Sequence, residues 1–462
     1  MKIERFEIPG LAQYSYVISS QGKAIVVDAI RDVDRYLAYA AKNGLQITHV
    51  ADTHIHADFA SGSIALAALT GAELALSAHD RGELYESAMP HRPLHDGDKI
   101  EIGTVVLQAL HTPGHTPEHI SFIVFDTERG PTEPLALLSG DFLFVGSVGR
   151  PDLLGDEAKI GLANQLFSSL HERIAHLPDA IEVLPGHGAG SFCGSGMSDR
   201  PESTLGYERA TNPLFKLSRE AFGTEILASV PAMPRYYPRM KTLNAAGAPL
   251  LPALPGANPL TPAAVQRLKT EGAILLDLRR PEAFGGAHIP GAINIGAGRS
   301  LSLWAGWLLD STRAIVLISE AGHEAGDDEP SRRALVRVGL DRLAGFLASG
   351  MPAWIDAGLD IARTPQLSTD EVQHSNQPIL DVRTNREWQN GRIAGAQHIV
   401  LEDLEQDSPH LPQDRPLIVV CGSGYRSNIA ASLLAQRGFA QVSSMAGGMA
   451  AWTARNLPLS TH

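Results

Sequence analysis

The chain has 462 residues, 44% of them hydrophobic and 19% charged, with a formal net charge of -13. That length allows roughly two to four domains with ordinary globular cores. An acidic chain repels phosphate backbones, which argues against nucleic acid as a partner, although local arginines can still hold small anions. The first residues, MKIERFEIPG, carry charge at once and lead into no apolar run, so no signal peptide is expected. No stretch of about 18 apolar residues predicts a membrane-spanning helix. Only two cysteines occur, Cys193 and Cys421, which is no disulfide framework. A cytoplasmic protein with no membrane partner is the expectation.

In chain order, Ala24-Ile25-Val26-Val27 closed by Asp28 predicts a buried strand. Ile47 to Asp52 predicts a second, running into a His-rich loop. A helix is expected from near Ser61 to Leu69, and Thr104 to Leu110 predicts a strand that again opens into a His-rich loop. Residues 248–262, APLLPALPGANPLTP, are too rich in proline for a regular element and read as a linker. A second boundary is expected near Gly358 to Pro365. Beyond the linker the sequence repeats. Asp277-Leu278-Arg279 matches Asp381-Val382-Arg383, Ile289-Pro290-Gly291-Ala292 matches Ile393-Ala394-Gly395-Ala396, and Ile295 matches Ile399, at a constant offset of 104 residues. Each copy later reaches a Gly-x-x-x-Trp, Gly350 to Trp354 and Gly448 to Trp452. A period of that length is a domain, so two copies of one α/β domain are expected. The predicted domains are 1–247, 248–360 and 361–462.

Within the first domain, Thr53-His54-Ile55-His56-Ala57-Asp58-Phe59 is followed by His111-Thr112-Pro113-Gly114-His115-Thr116, Gly140-Asp141 and Pro185-Gly186-His187-Gly188. Imidazole and carboxylate suit first-row divalent metals, and loops just after strands are where a rigid scaffold presents such ligands. A lone His-x-His is most often an ordinary surface pair, but four such elements in this order make a metal site the better reading. His79, His91, His95 and His119 lack that context and are read as structural.

This set resembles the metallo-β-lactamase superfamily, whose motif is His-x-His-x-Asp-His followed by His, Asp and His. The resemblance covers roughly residues 1–245 and implies an αββα sandwich. Phe59 stands where the second-metal histidine is usual, which implies a mononuclear site. The stretch Gly140 to Asp152 and the segment Tyr236-Tyr237-Pro238-Arg239-Met240-Lys241 look like the persulfide dioxygenase branch. Carried over, one iron(II) would be held by His54, His115 and Asp141, with His56, Asp58 and His187 beside it or vestigial. Two histidines and one carboxylate leave positions open for substrate and O₂. Zinc could take the same ligands. Asp58 is either a partner that orients an imidazole or a loop cap.

Cys421 lies between an apolar strand, Pro416 to Val420, and a helix expected from near Ser427. The intervening Gly422-Ser423-Gly424-Tyr425-Arg426-Ser427 offers backbone N–H groups, a helix N-terminus and a guanidinium, all of which favour a thiolate and an anion. Four residues between Cys and Arg resemble the rhodanese loop, which receives sulfane sulfur, over about residues 363–462. Cys-based phosphatases generally hold one residue more. In the first copy the strand Ala314 to Ile318 leads to Ser319, no cysteine follows, and Glu320 to Glu329 is acidic. That copy reads as a cysteine-free pseudo-rhodanese, a spacer or docking surface. Cys193, just after the His187 loop, is either a small packed residue or a second relay thiol.

The domain order resembles bacterial persulfide dioxygenase–sulfurtransferase fusions. The resemblance implies oxidation of a low-molecular-weight persulfide by O₂ to sulfite, with Cys421 transferring sulfane sulfur to sulfite to give thiosulfate, aided by Arg426. The fusions serve sulfide detoxification, and superfamily habit suggests a homo-oligomer. The thiol carrier and the direction of transfer stay open. The rivals are a thioester hydrolase of the glyoxalase II kind and a non-catalytic persulfide carrier or sensor.

Overall fold

Residues 1–320 and 328–460 are described by a computed structural model of the chain. They fall into two compact units, Met1–Pro252 with Val336–Gly339, and Ala253–Leu335 with Leu340–His462. Among the described residues, no helix is long and apolar enough to cross a membrane.

The first unit contains two six-stranded sheets. One holds β1 (Lys2–Ile8), β2 (Gln13–Ser20), β3 (Lys23–Val27), β4 (Gln46–Ala51), β5 (Glu73–Ser77) and β6 (Arg92–Leu94), in that order. The other holds β7 (Lys99–Ile102), β8 (Val105–His111), β9 (Ile120–Asp126), β10 (Pro134–Gly140), β13 (Glu182–Pro185) and β14 (Ser203–Thr204), in the order β14-β13-β10-β9-β8-β7. A short hairpin, β11 (Leu143–Phe144) and β12 (Ser147–Val148), follows β10.

Successive strand residues face opposite sides, so one strand serves two cores. Leu107 and Ala109 of β8, Phe122 and Val124 of β9, and Ala136 and Leu138 of β10 pack with Tyr16, Ile18, Ile25 and Val27 of the first sheet. Their neighbours Leu110, Ile123 and Leu137 face the other way, onto Leu166 and Phe222 of helices α3 (Lys159–Ser168) and α5 (Arg219–Ser229). On the far side of the first sheet, α1 (Asp34–Asn43) is pinned by Tyr36, whose hydroxyl lies 2.7 Å from Ser15 Oγ, and α2 (Ser63–Thr70) packs on β4 and β5. This is the αββα sandwich expected. Helices α4 (Leu205–Thr211) and α6 (Tyr237–Ala246) complete the unit.

Strands β8 and β10 both run antiparallel to β9, and β13 runs parallel to β10. Their C-terminal ends therefore lie on one edge. The loops after β4, β8, β10 and β13 carry the His54, His115, Asp141 and His187 motifs respectively.

The second unit holds the repeat as two five-stranded parallel sheets. The first comprises β15 (Pro259–Leu260), β16 (Ile274–Asp277), β17 (Ile293–Asn294), β18 (Ile315–Ile318) and β19 (Leu343–Leu347), ordered β15-β19-β18-β16-β17. The second comprises β20 (Gln366–Leu367), β21 (Ile379–Asp381), β22 (Gln397–His398), β23 (Leu417–Val420) and β24 (Val442–Met445), ordered β20-β24-β23-β21-β22. The repeated residues do matching work. Arg279 clamps Asp277 and Arg383 clamps Asp381 at the same turn. Trp354 and Trp452 are buried in their cores and donate through Nε1 to Asp360 O and Pro458 O.

Candidate metal centre and thiol loop

The four His/Asp loops meet. One ligand atom each of His54, His115 and Asp141 lies within 4.8 Å of the others, and all three residues are buried. Asp141 Oδ2 is 3.9 Å from His54 Nε2, 3.4 Å from His115 Nε2 and 3.5 Å from His187 Nε2.

The opposite ring nitrogens fix the tautomers. His115 Nδ1 donates to the Arg150 carbonyl at 2.9 Å, and His187 Nδ1 donates to the Ala12 carbonyl at 3.2 Å. Thr53 gives its hydroxyl proton to Asp28 Oδ2, so His54 Nδ1 must donate to Thr53 Oγ1 at 2.9 Å. Each Nε2 therefore presents a lone pair to the centre. Burial holds the His54 and His115 imidazoles well below the usual histidine range, hence neutral, and pushes the Asp141 carboxyl up to about 6.

His54 Nε2, His115 Nε2 and Asp141 Oδ2 have no hydrogen-bond partner although buried. An unpaired buried polar group costs about 1–3 kcal/mol. Three such acceptors converging on one point fit a divalent cation.

The remaining motif residues divide. His56 turns its Nε2 to Asp28 Oδ1 at 3.1 Å. Against the burial that opposes it, the Asp28 carboxylate raises the His56 imidazole to about 9. Phe59 is buried and lies against His56, ring centroids 4.3 Å apart. Asp58 Oδ2 is 3.4 Å from His187 Nε2, and neither Asp58 oxygen has a hydrogen-bond partner. Asp58, His187 and Cys193 form a second convergent group beside the first. The Cys193 thiol is fully buried, 4.0 Å from the Tyr237 hydroxyl. Burial, then the Asp58 and Asp141 charges, push it well up, so it is protonated in the protein alone.

The sequence reads His119 as structural. It is no ligand, yet its Nε2 accepts the Asp141 N–H at 3.0 Å and braces that loop. The second brace is Gly140, at φ +52, where a Cβ would stand 2.6 Å from His119 Nε2. The sequence gives no site role to Asp28 or Lys241 and does not point to Glu118 or Asn244, since each acts by gripping a distant backbone group.

In the second unit, Cys421 is fully buried immediately after β23. The Gly424 N–H points to its Sγ at 3.1 Å. The helix begins at Tyr425, two residues before the expected Ser427, because Gly424 takes φ +95 and turns the chain early. Ser427 Oγ donates to the Gly424 carbonyl, closing the loop, and the Tyr425 hydroxyl donates to Gly296 O of the first copy. Gly422 and Ser423 form its more exposed lip. Arg426 was expected to face an anion. It makes a two-pronged pair with Glu387, at 2.8 and 2.6 Å. Although burial opposes it, the Arg426 guanidinium holds the Glu387 carboxyl down at about 2.

The register equates Ser319 with Cys421, since Asp277 pairs with Ile318 as Asp381 pairs with Val420. The first copy thus has a hydroxyl where the second has its thiol. Of the acidic stretch Glu320 to Glu329, residues 321–327 lie outside the described residues.

Residues 8–187 match the family model of the metallo-beta-lactamase superfamily. Residues 261–357 and 365–455 each match that of the rhodanese-like domain. Among solved structures, a metallo-beta-lactamase from Staphylococcus aureus subsp. aureus COL is 37% identical, with a TM-score of 0.66, covering 75% of this chain and 99% of that one. A hydroxyacylglutathione hydrolase of Polaromonas sp. (strain JS666 / ATCC BAA-500) is 38% identical over 177 residues, 38% of this chain and 61% of that enzyme. The mitochondrial persulfide dioxygenase ETHE1 of Bos taurus is 29% identical over 218 residues, 46% of this chain and 76% of that enzyme.

Proposed function

For a chain that belongs to the metallo-β-lactamase superfamily and carries two rhodanese-like domains, we propose oxidation of a low-molecular-weight thiol persulfide by O₂, coupled to sulfur transfer at Cys421. The observation that carries this reading is the open set of two neutral histidines and one carboxylate, with Phe59 at the position where a second metal would need a ligand. The similarity to persulfide dioxygenase supports it, as does fusion to a rhodanese-like thiol loop.

His54, His115 and Asp141 would hold one iron(II). When bound, that ion supplies open positions at which a sulfur ligand and O₂ can react together. The protein's own part is to fix the imidazoles through Thr53 and Arg150 O and to keep the site dry. The overall oxidation is R–S–SH + O₂ + H₂O giving R–SH + SO₃²⁻ + 2 H⁺. At the second site Cys421–SH takes the outer sulfur of another R–S–SH, releasing R–SH, and sulfite then removes it as thiosulfate. The Gly424 N–H stabilises the sulfur anion during transfer. Fusion raises the effective concentration of sulfite near its acceptor. Cys193, beside His187 and Asp58, is assigned to hold sulfane sulfur next to the metal.

Iron(II)-loaded protein given glutathione persulfide should consume one O₂ per two persulfides and accumulate thiosulfate. A second reading, thioester hydrolysis, draws on the hydroxyacylglutathione hydrolase relative and on the convergent Asp58–His187–Cys193 group, which could hold a second ion. No O₂ uptake by the iron(II)-loaded protein with any persulfide, together with glutathione-thioester cleavage by the zinc-loaded protein, would overturn the dioxygenase reading.

A further inference from the structure

The loop His54 to Phe59 is gripped from behind by side chains of one short stretch of chain. Lys241 Nζ donates to Ile55 O at 2.7 Å. Asn244 Nδ2 donates to His56 O and Phe59 O, both at 2.8 Å, while its Oδ1 accepts from Ser61 N–H at 2.8 Å. The Tyr236 hydroxyl donates to Asp58 O at 3.1 Å. From the other side Glu118 Oε1 accepts the Ile55 N–H at 3.0 Å, and it lies 3.7 Å from Lys241 Nζ.

Ile55 is the residue between the two histidines of the motif. Its N–H belongs to the peptide shared with His54, and its carbonyl belongs to the peptide shared with His56. Glu118 fixes the first peptide and Lys241 the second, so together they fix both soft torsions of Ile55. Those torsions set how the two imidazoles point relative to each other. Residues two apart in an extended loop would otherwise project to the same side. The two rings are in fact close, with centroids 4.3 Å apart. Yet one Nε2 faces Asp141 and the other faces Asp28.

We propose that the buried Lys241–Glu118 pair, acting through the Ile55 backbone, keeps His56 off the metal and so sets the centre at two histidines and one carboxylate rather than three histidines. The inference rests on the metal reading above. Its energetic signature is the pair itself. Lys241 and Glu118 have side-chain exposures of 2% and 4%, and burying charges carries a desolvation penalty that a hydrophobic pair would avoid. Phe59 reinforces the arrangement by packing against His56. A cavity of about 30 Å³ lined by Asp52, His54, His56, Glu118 and Asn244 adjoins the clamp, giving the loop room to shift once the clamp is released.

The test uses full-length protein substituted with cobalt(II), reading visible ligand-field bands and metal affinity, neither of which needs turnover. Lys241→Met should change the bands and alter cobalt affinity by about 10-fold or more. Glu118→Ala, which frees the other peptide, should give the same change and serves if Lys241→Met does not fold. Adding His56→Gln to either variant should restore the wild-type bands, which a general loss of stability would not do. Folded Lys241→Met and Glu118→Ala proteins with unchanged bands would overturn the proposal. If His56→Gln alone alters the wild-type bands, His56 is already a ligand and the two-histidine reading fails instead.

Discussion

Replacement of Gly448 by alanine tests whether the Cys421 loop depends on the second glycine of the Gly447-Gly448 pair. Gly448 adopts φ +55, and an added Cβ would sit 2.4 Å from Cys421 O, 2.7 Å from Gly422 C and 2.7 Å from Ser423 N. All three are backbone atoms, so no side chain can swing aside. Alanine at positive φ costs about 1–2 kcal/mol by itself. Relieving the clash separates the loop from the following helix. That loses the hydrogen bonds from Met449 N–H to Cys421 O at 2.7 Å and from Ala450 N–H to Gly422 O at 2.9 Å, each worth about 0.5–1.5 kcal/mol. The local penalty is about 2–5 kcal/mol, and opening the 2.4 Å approach to Cys421 O to an ordinary contact moves the loop by about 1 Å. Misplacement on that scale costs about 10²-fold in rate. The assay is sulfur transfer from thiosulfate to a thiol or cyanide acceptor, with O₂ uptake on persulfide measured alongside. Transfer should fall about 10²-fold while O₂ uptake stays unchanged. Transfer at the wild-type rate in folded Gly448→Ala protein would refute the claim that the backbone contact positions the loop.

Asp141→Ala should abolish high-affinity metal binding and O₂ uptake while leaving sulfur transfer at Cys421 intact, as read by metal analysis and the two activities. Cys421→Ser should shift the accumulated product from thiosulfate to sulfite. An unchanged thiosulfate yield would remove Cys421 from the scheme. Glu387→Gln should remove a stabilising ion pair whose pH dependence has a definite sign. The folded carboxyl is held down at about 2, below its ordinary value near 4.5. Its contribution is therefore fully present above about pH 4.5 and disappears as pH falls toward 2. The stability gap between wild type and variant, measured by denaturant titration, should close over that acid range and stay constant above it.

The readable parts of this protein were those in which a short segment does its work alone. Ala24 to Val27 is apolar because the strand is buried on both faces, and β3 covers Lys23–Val27. His54, His115 and Asp141 announce themselves because ligand chemistry restricts residue type, and the structure brings the three together. The repeat was legible because equal domains reuse the same Asp-x-Arg turn and core tryptophan. What escaped was the layer that acts across long separations. Lys241 grips Ile55 across 186 positions, Asn244 grips His56 across 188, and His119 accepts from Asp141 across 22. Each target is a backbone group, and a carbonyl or amide leaves no residue-type signal at the receiving end. The same limit explains Arg426. A positive residue in a Gly-rich loop reads as an anion holder, but Glu387 lies 39 residues away and takes both of its terminal nitrogens. Glu387 itself had a local explanation that hid the distant one, since it also closes a capping box with Thr384 at the start of its own short helix. One carboxylate thus caps a helix and restrains the charge beside Cys421, and an anion entering that loop would have to compete with Glu387 for the guanidinium.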